Sequence, residues 1–546
     1  MSGTRYDVVI VGSGFGGSVM AARLSEAGLH VLVLERGQRW APGTFPRYPR
    51  EFHKALWDPS RGRYGLFNLW SFPGIDVVTA SGLGGGSLLY ANVLLRKDPS
   101  WFMRTDSEYW PVTYEELVPH YERVERMLGA REFPLEDEEF RIPKTLAFQS
   151  AAQKQGLDWK KLPLAISFGR SVESPAAVGV PLDDAENLHG TPRVSCRLCG
   201  ECDVGCNYGS KNTLDLNYLT QAEKRGADLF TLAQVTSLRP VSGGYAVGYV
   251  QHDPADPRPT RELNEQFIEA KQVVLAMGSP ATPFFLLKNK VNFPDLSPAL
   301  GSRFAGNGDL LGFIRNAPHP LDPYRGPVIT SAVRVPDFAD GGDSSGIYVE
   351  DAGFPNFLSY FVESLVYNRP ATLVRVVRFV FRYLTRYFRL NENTSIGRVV
   401  SDLIGSGSFT AYSLPLLGMG RDTPDGNLFL RGRRLQSDWT VKTSRSYFKK
   451  VEETMRQIAD GIGGTFFTNP MSLLRKVITV HPLGGCPMGR AANEGVVDAH
   501  GEVFHYPGLY IADGSIMPGP VGANPALTIA AMADRCADRV IENAKA

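Results

Sequence analysis

The sequence predicts an α/β protein of two lobes, in which pieces of one layer are separated by inserted segments. Tyr6 to Gly37 contains a strand, a glycine turn, a helix and a second strand. The alternation returns late in the chain, with a strand at Gln272 to Met277, a helix at Thr282 to Lys288 and a strand at Gly508 to Ala512. A chain of 546 residues is also larger than a single core normally supports.

The bulk composition is that of an ordinary soluble globular protein. Hydrophobic residues make up 43% and charged residues 21% of the chain. The 58 basic and 57 acidic residues leave a net charge of +1, so we expect no nucleic-acid partner. The N-terminal MSGTRYDVVIVGSG lacks the zones of a secretory signal, and no apolar run has membrane-spanning length. We therefore expect a cytoplasmic protein.

The first glycine turn predicts a dinucleotide site, because it follows a strand and opens a helix. Gly12 permits the tight turn, Gly14 lets the backbone approach a pyrophosphate, and Gly17 allows close packing of helix on strand. Phe15 lies within this turn, where the helix N-terminus attracts phosphates. Glu35 ends the next strand, where its carboxylate can accept bonds from ribose hydroxyls. The alternative is a tight turn without a ligand.

Two later segments favour FAD over NAD as the dinucleotide. Gly82, Gly86 and Ser87 belong to a second glycine-rich loop, which can lie along a long cofactor. Asp513 and Gly514 follow a strand, where a carboxylate can hold a polyol chain. Each segment alone could be a structural turn. Together with the first turn, they suit a cofactor that reaches across the molecule.

A helix is predicted to begin near Asn524 and Pro525, since asparagine is a good N-cap and proline suits the first helical position. A helix N-terminus aimed at a flavin would stabilise the anionic reduced ring. The alternative is simply a well-capped C-terminal helix. Gly278, directly after the strand that ends at Met277, is also assigned to the cofactor site.

Motifs along nearly the whole chain resemble those of the glucose–methanol–choline (GMC) oxidoreductases, and within them the bacterial cholesterol oxidases with non-covalent FAD. These motifs are GSGFGGS near the start, GLGGGSLLYAN at 82–92, AGNGD at 305–309, DSSGIYVEDAGFP at 343–355, HPLGGCPMG at 481–489 and LYIADGSIMPGPVGANPALTIAA at 509–531. The resemblance implies a Rossmann-like FAD-binding domain with an inserted substrate-binding domain on a mostly antiparallel sheet. We assign residues 1–42, 75–98, 208–315 and 470–546 to the former, and residues 43–74, 99–207 and 316–469 to the latter.

The resemblance also implies roles for individual residues. His481 corresponds to the active-site histidine of the family, Asn524 to the asparagine beside the flavin, and Glu350 to the acidic residue of cholesterol oxidases. Val235 corresponds to a contact on the adenine side. Asn92 ends a Leu-Tyr-Ala-Asn stretch that replaces the asparagine-glycine pair of better-known members, so the local flavin contacts are expected to differ.

Alcohol oxidation requires that a proton leave oxygen and a hydride leave carbon, and flavin N5 accepts the hydride. We expect His481 to bind the hydroxyl and take its proton, because histidines ordinarily titrate near neutrality. Asn524 would orient the substrate oxygen. Glu350, if buried, could move a proton between two carbons as in steroid isomerisation. The alternatives are a turn histidine at 481 and an exposed loop glutamate at 350.

Four clustered cysteines, Cys196, Cys199, Cys202 and Cys206, have the spacing of a bacterial ferredoxin run, although Asn207 replaces the usual proline. Their density predicts metal binding more than disulfides. Iron–sulfur is the sharper hypothesis, a structural zinc is the alternative, and packed free thiols are the third interpretation. By resemblance, some GMC dehydrogenases carry a cysteine-bound cluster in a comparable segment. Such a cluster would pass electrons to an acceptor protein instead of oxygen.

Residues 371–390 predict a basic amphipathic helix, since arginines recur every three or four positions among Leu, Val, Phe and Tyr. Such a helix suits an anionic membrane surface, and a surface helix or an oligomer contact is the alternative. The sequence thus predicts an FAD-dependent enzyme that oxidises a hydrophobic alcohol. A 3β-hydroxysteroid is the first candidate substrate and a long-chain alcohol the second. A redox carrier or sensor is the rival from another class.

Overall fold

The computed structural model describes residues 6–47, 51, 54–102, 108–256, 258, 260–338, 341–342, 345–356, 408–468 and 476–545. The arginine-rich segment 371–390 lies outside these residues, so the amphipathic helix stays a prediction. Within the described part of the chain, no helix combines the length and apolar character that crossing a membrane requires.

A mixed sheet carries the first glycine turn. Its central strands Tyr6–Val11 and Val31–Leu34 are rich in valine and buried except at Asp7, as expected for parallel strands covered on both faces. The strands that share the turn pair in parallel, and an antiparallel hairpin extends one edge. In spatial order the strands are Asp228–Phe230, Val31–Leu34, Tyr6–Val11, Gln266–Leu275, Gly244–Gln251 and Ala233–Val241, with Leu509–Ile511 paired in parallel to Gln266–Leu275.

Helices cover the mixed sheet. Phe15–Glu26 follows the first glycine turn and packs against the C-terminal helix Ala526–Lys545, which in turn packs against Tyr114–Met127. The predicted helix at Thr282 to Lys288 is present as Ala281–Asn289, and that near Asn524 begins at Ala526. The α/β prediction is confirmed.

A second sheet is antiparallel in every pairing between its described strands. The helices Pro143–Lys154 and Arg445–Ile462 pack on it. Its strands, in spatial order, are Thr465–Thr468, Leu310–Arg315, Leu414–Gly420, Ile347–Asp351, Ser331–Val335 and Asp158–Lys161. The antiparallel sheet therefore draws one strand, Leu310–Arg315, from the range 208–315 assigned to the FAD-binding domain, and the domain limits stay a proposal.

A small sheet brings two further loops together. Val477–Thr479 pairs in parallel with Ile75–Ala80, which pairs antiparallel with Phe67–Ser71. Because parallel strands end at the same edge, the loop after Ala80 and the residues after Thr479 leave the sheet side by side. The remaining strands are Trp57–Asp58, Arg63–Tyr64, Arg131–Glu132, Pro163–Leu164, Leu428–Arg431 and Arg434–Ser437, and the remaining helices are Tyr218–Lys224 and Ser408–Ala411.

Candidate active site and cofactor cradle

The first glycine turn combines close packing with one open position. A Cβ on Gly12, whose φ is +96°, would lie 2.5 Å from the Ala276 oxygen, and a Cβ on Gly17 would lie 2.0 Å from the Gly12 oxygen. A Cβ on Gly14 would meet no protein atom within 4 Å. That open space faces the start of the helix Phe15–Glu26, where free N–H groups accumulate. The turn therefore fits a pyrophosphate.

Gly16 is a tight contact that sequence reasoning did not single out. A Cβ there would fall 1.4 Å from the Ala512 oxygen, so only glycine allows the helix to lie against the strand Leu509–Ile511 and its following residue. The signal in the sequence was the doubled glycine of the turn, which the three-glycine motif does not require.

The second glycine loop lies directly on the first. A Cβ on Gly85 would lie 2.5 Å from Gly14 Cα, and Gly84 N donates a hydrogen bond of 3.0 Å to Ser13 Oγ. Ser87 Oγ accepts from Leu214 N at 3.0 Å and so fixes the end of the loop. We call the two loops, residues 12–17 and 82–87, the glycine cradle. Gly82 packs against Trp40, and Gly86 lies near Phe15, with 3.8 Å between its hypothetical Cβ and Phe15 Cε2.

Glu35 lies beside the glycine cradle and already holds protein groups. Its Oε2 accepts hydrogen bonds from Ser13 N at 3.0 Å and Ser13 Oγ at 2.6 Å, and its Oε1 accepts from Gly37 N at 2.8 Å. A carboxylate has about four lone-pair sites, so further acceptor capacity remains for a ribose. Glu35 therefore also stabilises the first glycine turn, in addition to its predicted contact with the ribose.

Asn92 offers a second sign of a ligand. The residue is fully buried, its φ is +72°, and neither its amide oxygen nor its amide nitrogen has a hydrogen-bond partner among the described residues. An orphaned amide of this kind ordinarily costs free energy. Its position after the glycine cradle fits a polar contact to a bound dinucleotide.

Asp513 accepts hydrogen bonds from several segments at the other end of the predicted cofactor site. Its Oδ2 accepts from Gly278 N at 2.8 Å and Thr282 Oγ1 at 2.5 Å, and its Oδ1 accepts from Ser515 N at 2.8 Å. Burial raises its pKa above the usual value. The carboxyl group therefore joins the turn at Gly278 to that at Gly514, which is also buried.

Val235 and Pro525 occupy the outer parts of the predicted site. Val235 is partly buried in the strand Ala233–Val241, beside a register shift of the antiparallel hairpin. Pro525 is buried directly before the helix Ala526–Lys545. Cofactor contacts by these two residues stay a prediction.

His481 is held by a carboxylate that sequence reasoning missed. Its Nδ1 lies 2.8 Å from Asp309 Oδ1, and Asp309 is 1% exposed. Asp309 Oδ2 accepts from Thr479 Oγ1 at 2.8 Å and from Val480 N at 3.0 Å. These bonds fix the carboxylate, which in turn favours the tautomer with its proton on Nδ1 and leaves Nε2 as the acceptor.

Asn307, two residues before Asp309, holds the segment that leads to Asn524. Its Oδ1 accepts from Gly522 N at 2.8 Å, and its Nδ2 donates to the Ala523 oxygen at 2.9 Å. The AGNGD motif had served only as a family match, yet it ties together the two predicted catalytic residues. The signal in the sequence was its pair of polar residues at positions 307 and 309.

Glu350 lies in the strand Ile347–Asp351 and is completely buried, so the alternative of an exposed loop glutamate is wrong. Asn524 Nδ2 donates to Glu350 Oε2 at 3.4 Å. Glu350 Oε1 and Asn524 Oδ1 have no partner among the described residues. Burial raises the pKa of Glu350 well above its usual value, and the amide of Asn524 opposes that shift only in part. We call Asp309, Glu350, His481 and Asn524 the catalytic cluster.

Comparison with known proteins identifies the family of the chain. Two models described as GMC oxidoreductase match residues 184–304 and 431–533, and an NAD(P)-binding Rossmann-like domain matches residues 10–58. A cholesterol oxidase of Mycobacterium tuberculosis is 30% identical over 97% of this chain and 90% of its own length. The chain belongs to the GMC oxidoreductase family. It is therefore an oxidoreductase that acts on CH–OH groups, and the family and its Rossmann-like domain support FAD as the cofactor.

Other relatives of this GMC oxidoreductase differ in their substrates. A cholesterol oxidase of Acinetobacter baumannii is 28% identical over 97% of this chain and 93% of its own length. A long-chain-alcohol oxidase of Arabidopsis thaliana is 24% identical over 99% of this chain and 68% of its own length. Pyridoxine 4-oxidase from Mesorbium loti shares the fold, with a TM-score of 0.60 at 18% identity over 98% of this chain and 99% of that one.

The four cysteines of this GMC oxidoreductase line one cavity together with Lys211, a feature we call the cysteine cavity. The thiols are free, and burial raises the pKa of Cys199 to about 12. In the described parts of the chain, no three His, Cys, Asp or Glu side chains are arranged as ligands of one metal ion. A metal here therefore stays a proposal.

Proposed function

We propose that this GMC oxidoreductase oxidises the hydroxyl group of a hydrophobic alcohol, with a 3β-hydroxysteroid as the first candidate and a long-chain alcohol as the second. The observation that carries the proposal is the catalytic cluster, in which Asp309 orients the His481 imidazole and Asn524 donates to the buried carboxyl of Glu350. The charge of Asp309 helps to raise the pKa of Glu350, so the two pairs lie near each other. These are the groups that alcohol oxidation needs for handling a proton and orienting an oxygen.

The glycine cradle, Glu35 and Asn92 are the residues that would hold the FAD. The open space at Gly14 and the orphaned amide of Asn92 support this fit. When bound, FAD supplies the acceptor for the hydride. The protein must then hold the carbinol carbon, remove the hydroxyl proton and exclude water.

His481 would accept the hydroxyl proton at Nε2. Asp309 supports that role because its carboxylate occupies Nδ1 at 2.8 Å and would stabilise the imidazolium that forms. Thr479 and Val480 N hold the carboxylate in turn, which limits rotation of the pair. We assign Asp309 as a positioning residue, since it acts through His481 and not on the substrate.

Asn524 and Glu350 would act on the product of the oxidation. The free amide oxygen of Asn524 and the raised pKa of Glu350 support a carboxyl whose neutral form is favoured by burial and that can exchange a proton with carbon. A 3-ketosteroid with an adjacent double bond needs such a transfer in order to bring the double bond into conjugation. The isomerisation of a steroid product therefore belongs to the proposal.

The nature of the substrate rests on the relatives. Those named cholesterol oxidase match nearly end to end at 28% and 30% identity, whereas the long-chain-alcohol oxidase matches at 24%. Both substrate classes dissolve in lipid. An arginine-rich segment at 371–390 supports transient docking on an anionic lipid surface, where such alcohols are found.

Two electron acceptors are compatible with this chemistry. The names of the relatives favour oxygen, and the cysteine cavity favours transfer through an iron–sulfur cluster to an acceptor protein. In the second case the protein would be a dehydrogenase.

Anaerobic reduction of bound flavin tests the proposed oxidation. Purified protein is mixed with cholesterol, or with hexadecanol, in detergent micelles. The loss of flavin absorbance at about 450 nm is then followed. Faster bleaching with the sterol supports the first candidate. Bleaching by neither alcohol, or equal bleaching after the His481→Ala substitution, would refute the catalytic assignment.

A further inference from the structure

The cysteine cavity contains a concentration of thiols that alcohol oxidation does not use. Cys196 and Cys202 are buried, Cys199 and Cys206 are partly buried, and all four residues line one cavity. They come from a single loop with the C-x2-C-x2-C-x3-C spacing that binds iron–sulfur clusters in ferredoxins. The spacing and the shared cavity are separate observations that bring four cysteines of one loop to one space, although the described side chains are not arranged as ligands of one metal ion.

Two buried cations beside the thiols provide an independent argument. Lys211 is 1% exposed and Arg193 is 6% exposed. Lys211 Nζ donates to the oxygens of Leu88 at 3.2 Å, Tyr90 at 2.8 Å and Cys202 at 2.7 Å. None of these acceptors carries a charge, although burial of an uncompensated cation is costly.

Arg193 also has only uncharged acceptors among its hydrogen-bond partners. Its Nε donates to the Gly209 oxygen at 2.7 Å, and its Nη2 donates to Asn212 Oδ1 at 2.5 Å. Asp203 and Asp215 lie near enough to influence these cations, but no carboxylate of the described residues forms an ion pair within 4.0 Å of Arg193 or Lys211. Neither cation is therefore paired directly with a carboxylate in the described part of the chain, and Glu201, the acidic residue in the lining of the cavity, is paired with Arg47.

We propose that the four cysteines bind an iron–sulfur cluster whose negative charge is balanced by Lys211 and Arg193. A cubane core with four thiolate ligands carries about two negative charges, which matches two buried cations. A zinc ion with four thiolates would carry the same charge, so charge alone does not select the metal. The location favours iron–sulfur, because the cavity adjoins the predicted cofactor loop of an oxidoreductase.

Lys211 links the cysteine cavity to the predicted cofactor loop. The same ammonium group lines the cysteine cavity and donates to Leu88 and Tyr90, which directly follow the glycine cradle. The Tyr90 ring in turn lies 5.3 Å from the Phe15 ring, measured between centroids. One side chain therefore spans the space between the four thiols and the cradle.

The role of the cluster as an electron exit rests on the proposed function. Conversion of an alcohol to a carbonyl releases two electrons and two protons. A bound cluster would carry one electron at a time, so two transfers to a one-electron acceptor, such as a ferric haem protein, would complete each turnover. The protons would leave to solvent, and no oxygen would be consumed.

Metal and sulfide analysis of the full-length protein tests the site. After anaerobic purification from iron-replete cells, we expect iron and acid-labile sulfide in nearly equal amounts and a paramagnetic signal after dithionite reduction. Cys202→Ser should lose most of the iron and the sulfide. Cys536→Ser, which changes a buried cysteine in the helix Ala526–Lys545, should retain both.

Lys211→Gln provides a variant that keeps every cysteine. Loss of a cation beside the cluster should lower its reduction potential, measured by dithionite titration, because the reduced form carries one more negative charge. An unchanged potential would overturn the assigned role of Lys211. Protein that contains zinc without sulfide, or no metal under these conditions, would overturn the cluster itself.

The outcomes separate the two proposals. Flavin bleaching by an alcohol in a protein without iron would leave the proposed oxidation intact and refute the cluster. Iron and sulfide in a protein whose flavin no alcohol reduces would do the reverse.

Discussion

The glycine cradle and the catalytic cluster are built in opposite ways. The cradle consists of two short loops in which missing side chains allow backbone to approach backbone, as at Gly16 and Gly85. The catalytic cluster consists of side chains from four distant segments, held by carboxylates and amides. Each loop of the cradle can be recognised from its own glycines in the sequence. The catalytic cluster exists only after distant segments of the fold have come together.

This difference predicts different responses to substitution. Changes in the cradle should act through stability and cofactor affinity, because they alter backbone packing. Changes in the catalytic cluster should act on rate, because we propose that its groups handle protons and orient the substrate. The predictions below test this separation.

The largest effect is expected for His481→Ala. Removal of the proton acceptor should slow anaerobic flavin reduction by the alcohol about 100- to 10,000-fold, while FAD content stays unchanged. Stopped-flow absorbance measures the rate. His319→Ala, which alters an exposed histidine, serves as the control. A His481→Ala protein that keeps its rate but loses FAD would place this residue in the cradle instead.

Asp309→Asn should slow the same step by up to about a hundredfold, since the imidazole loses its orienting carboxylate. The pH dependence of the rate should change as well, because a neutral amide no longer stabilises the imidazolium. Thr479→Val keeps the Asp309 carboxylate but removes the hydroxyl's bonds to Asp309 Oδ2, the Gly306 oxygen and His481 N, and should have a smaller effect. If both variants lose the same share of the rate and keep the pH profile of the unmodified protein, the role of Asp309 is purely structural.

Gly16→Ala and Gly14→Ala should separate packing from cofactor binding. The first introduces a methyl group where the Ala512 oxygen lies, and should lower the free energy of unfolding by about 1–3 kcal/mol. The second adds a methyl group in open space, so it should fold normally and bind FAD more weakly. Thermal unfolding and FAD titration measure the two effects. Equal losses of stability would contradict the open space at Gly14.

The smallest effect on oxidation is expected for Glu350→Gln, which should instead abolish the shift of the steroid double bond. Product analysis by absorbance of the conjugated ketone separates the two steps. Loss of oxidation together with isomerisation would place Glu350 in the hydride-transfer step.

The same variant predicts a change in pH dependence of stability. Burial raises the folded-state pKa of Glu350 above 4.5, its usual value. The unfolded chain therefore loses this proton first as pH rises, and stability falls from about pH 4.5 up to the folded pKa. Glutamine cannot ionise, so Glu350→Gln should flatten that decline in urea unfolding curves. An unaltered slope would mean that Glu350 ionises normally.

Much of this protein was determined by local sequence. The strand–turn–helix at Tyr6 to Gly37 and the C-terminal helix could be predicted because hydrophobic period, glycine and capping residues act over a few positions. The identity of His481 and Asn524 came from motifs of the family. The alternative of an exposed Glu350 could not be excluded in this way, because burial of a strand depends on what covers it.

Tertiary structure alone decided how these residues meet. Asp309 and His481 are 172 positions apart, Glu350 and Asn524 are 174, and Asn307 and Gly522 are 215. No periodicity spans such separations, since Asp309 precedes a strand of the antiparallel sheet, His481 follows a strand of the small sheet, and Asn524 precedes the C-terminal helix. The sequence therefore supplied the chemical groups and the backbone turns, and the packing of the two sheets supplied their pairing and their burial.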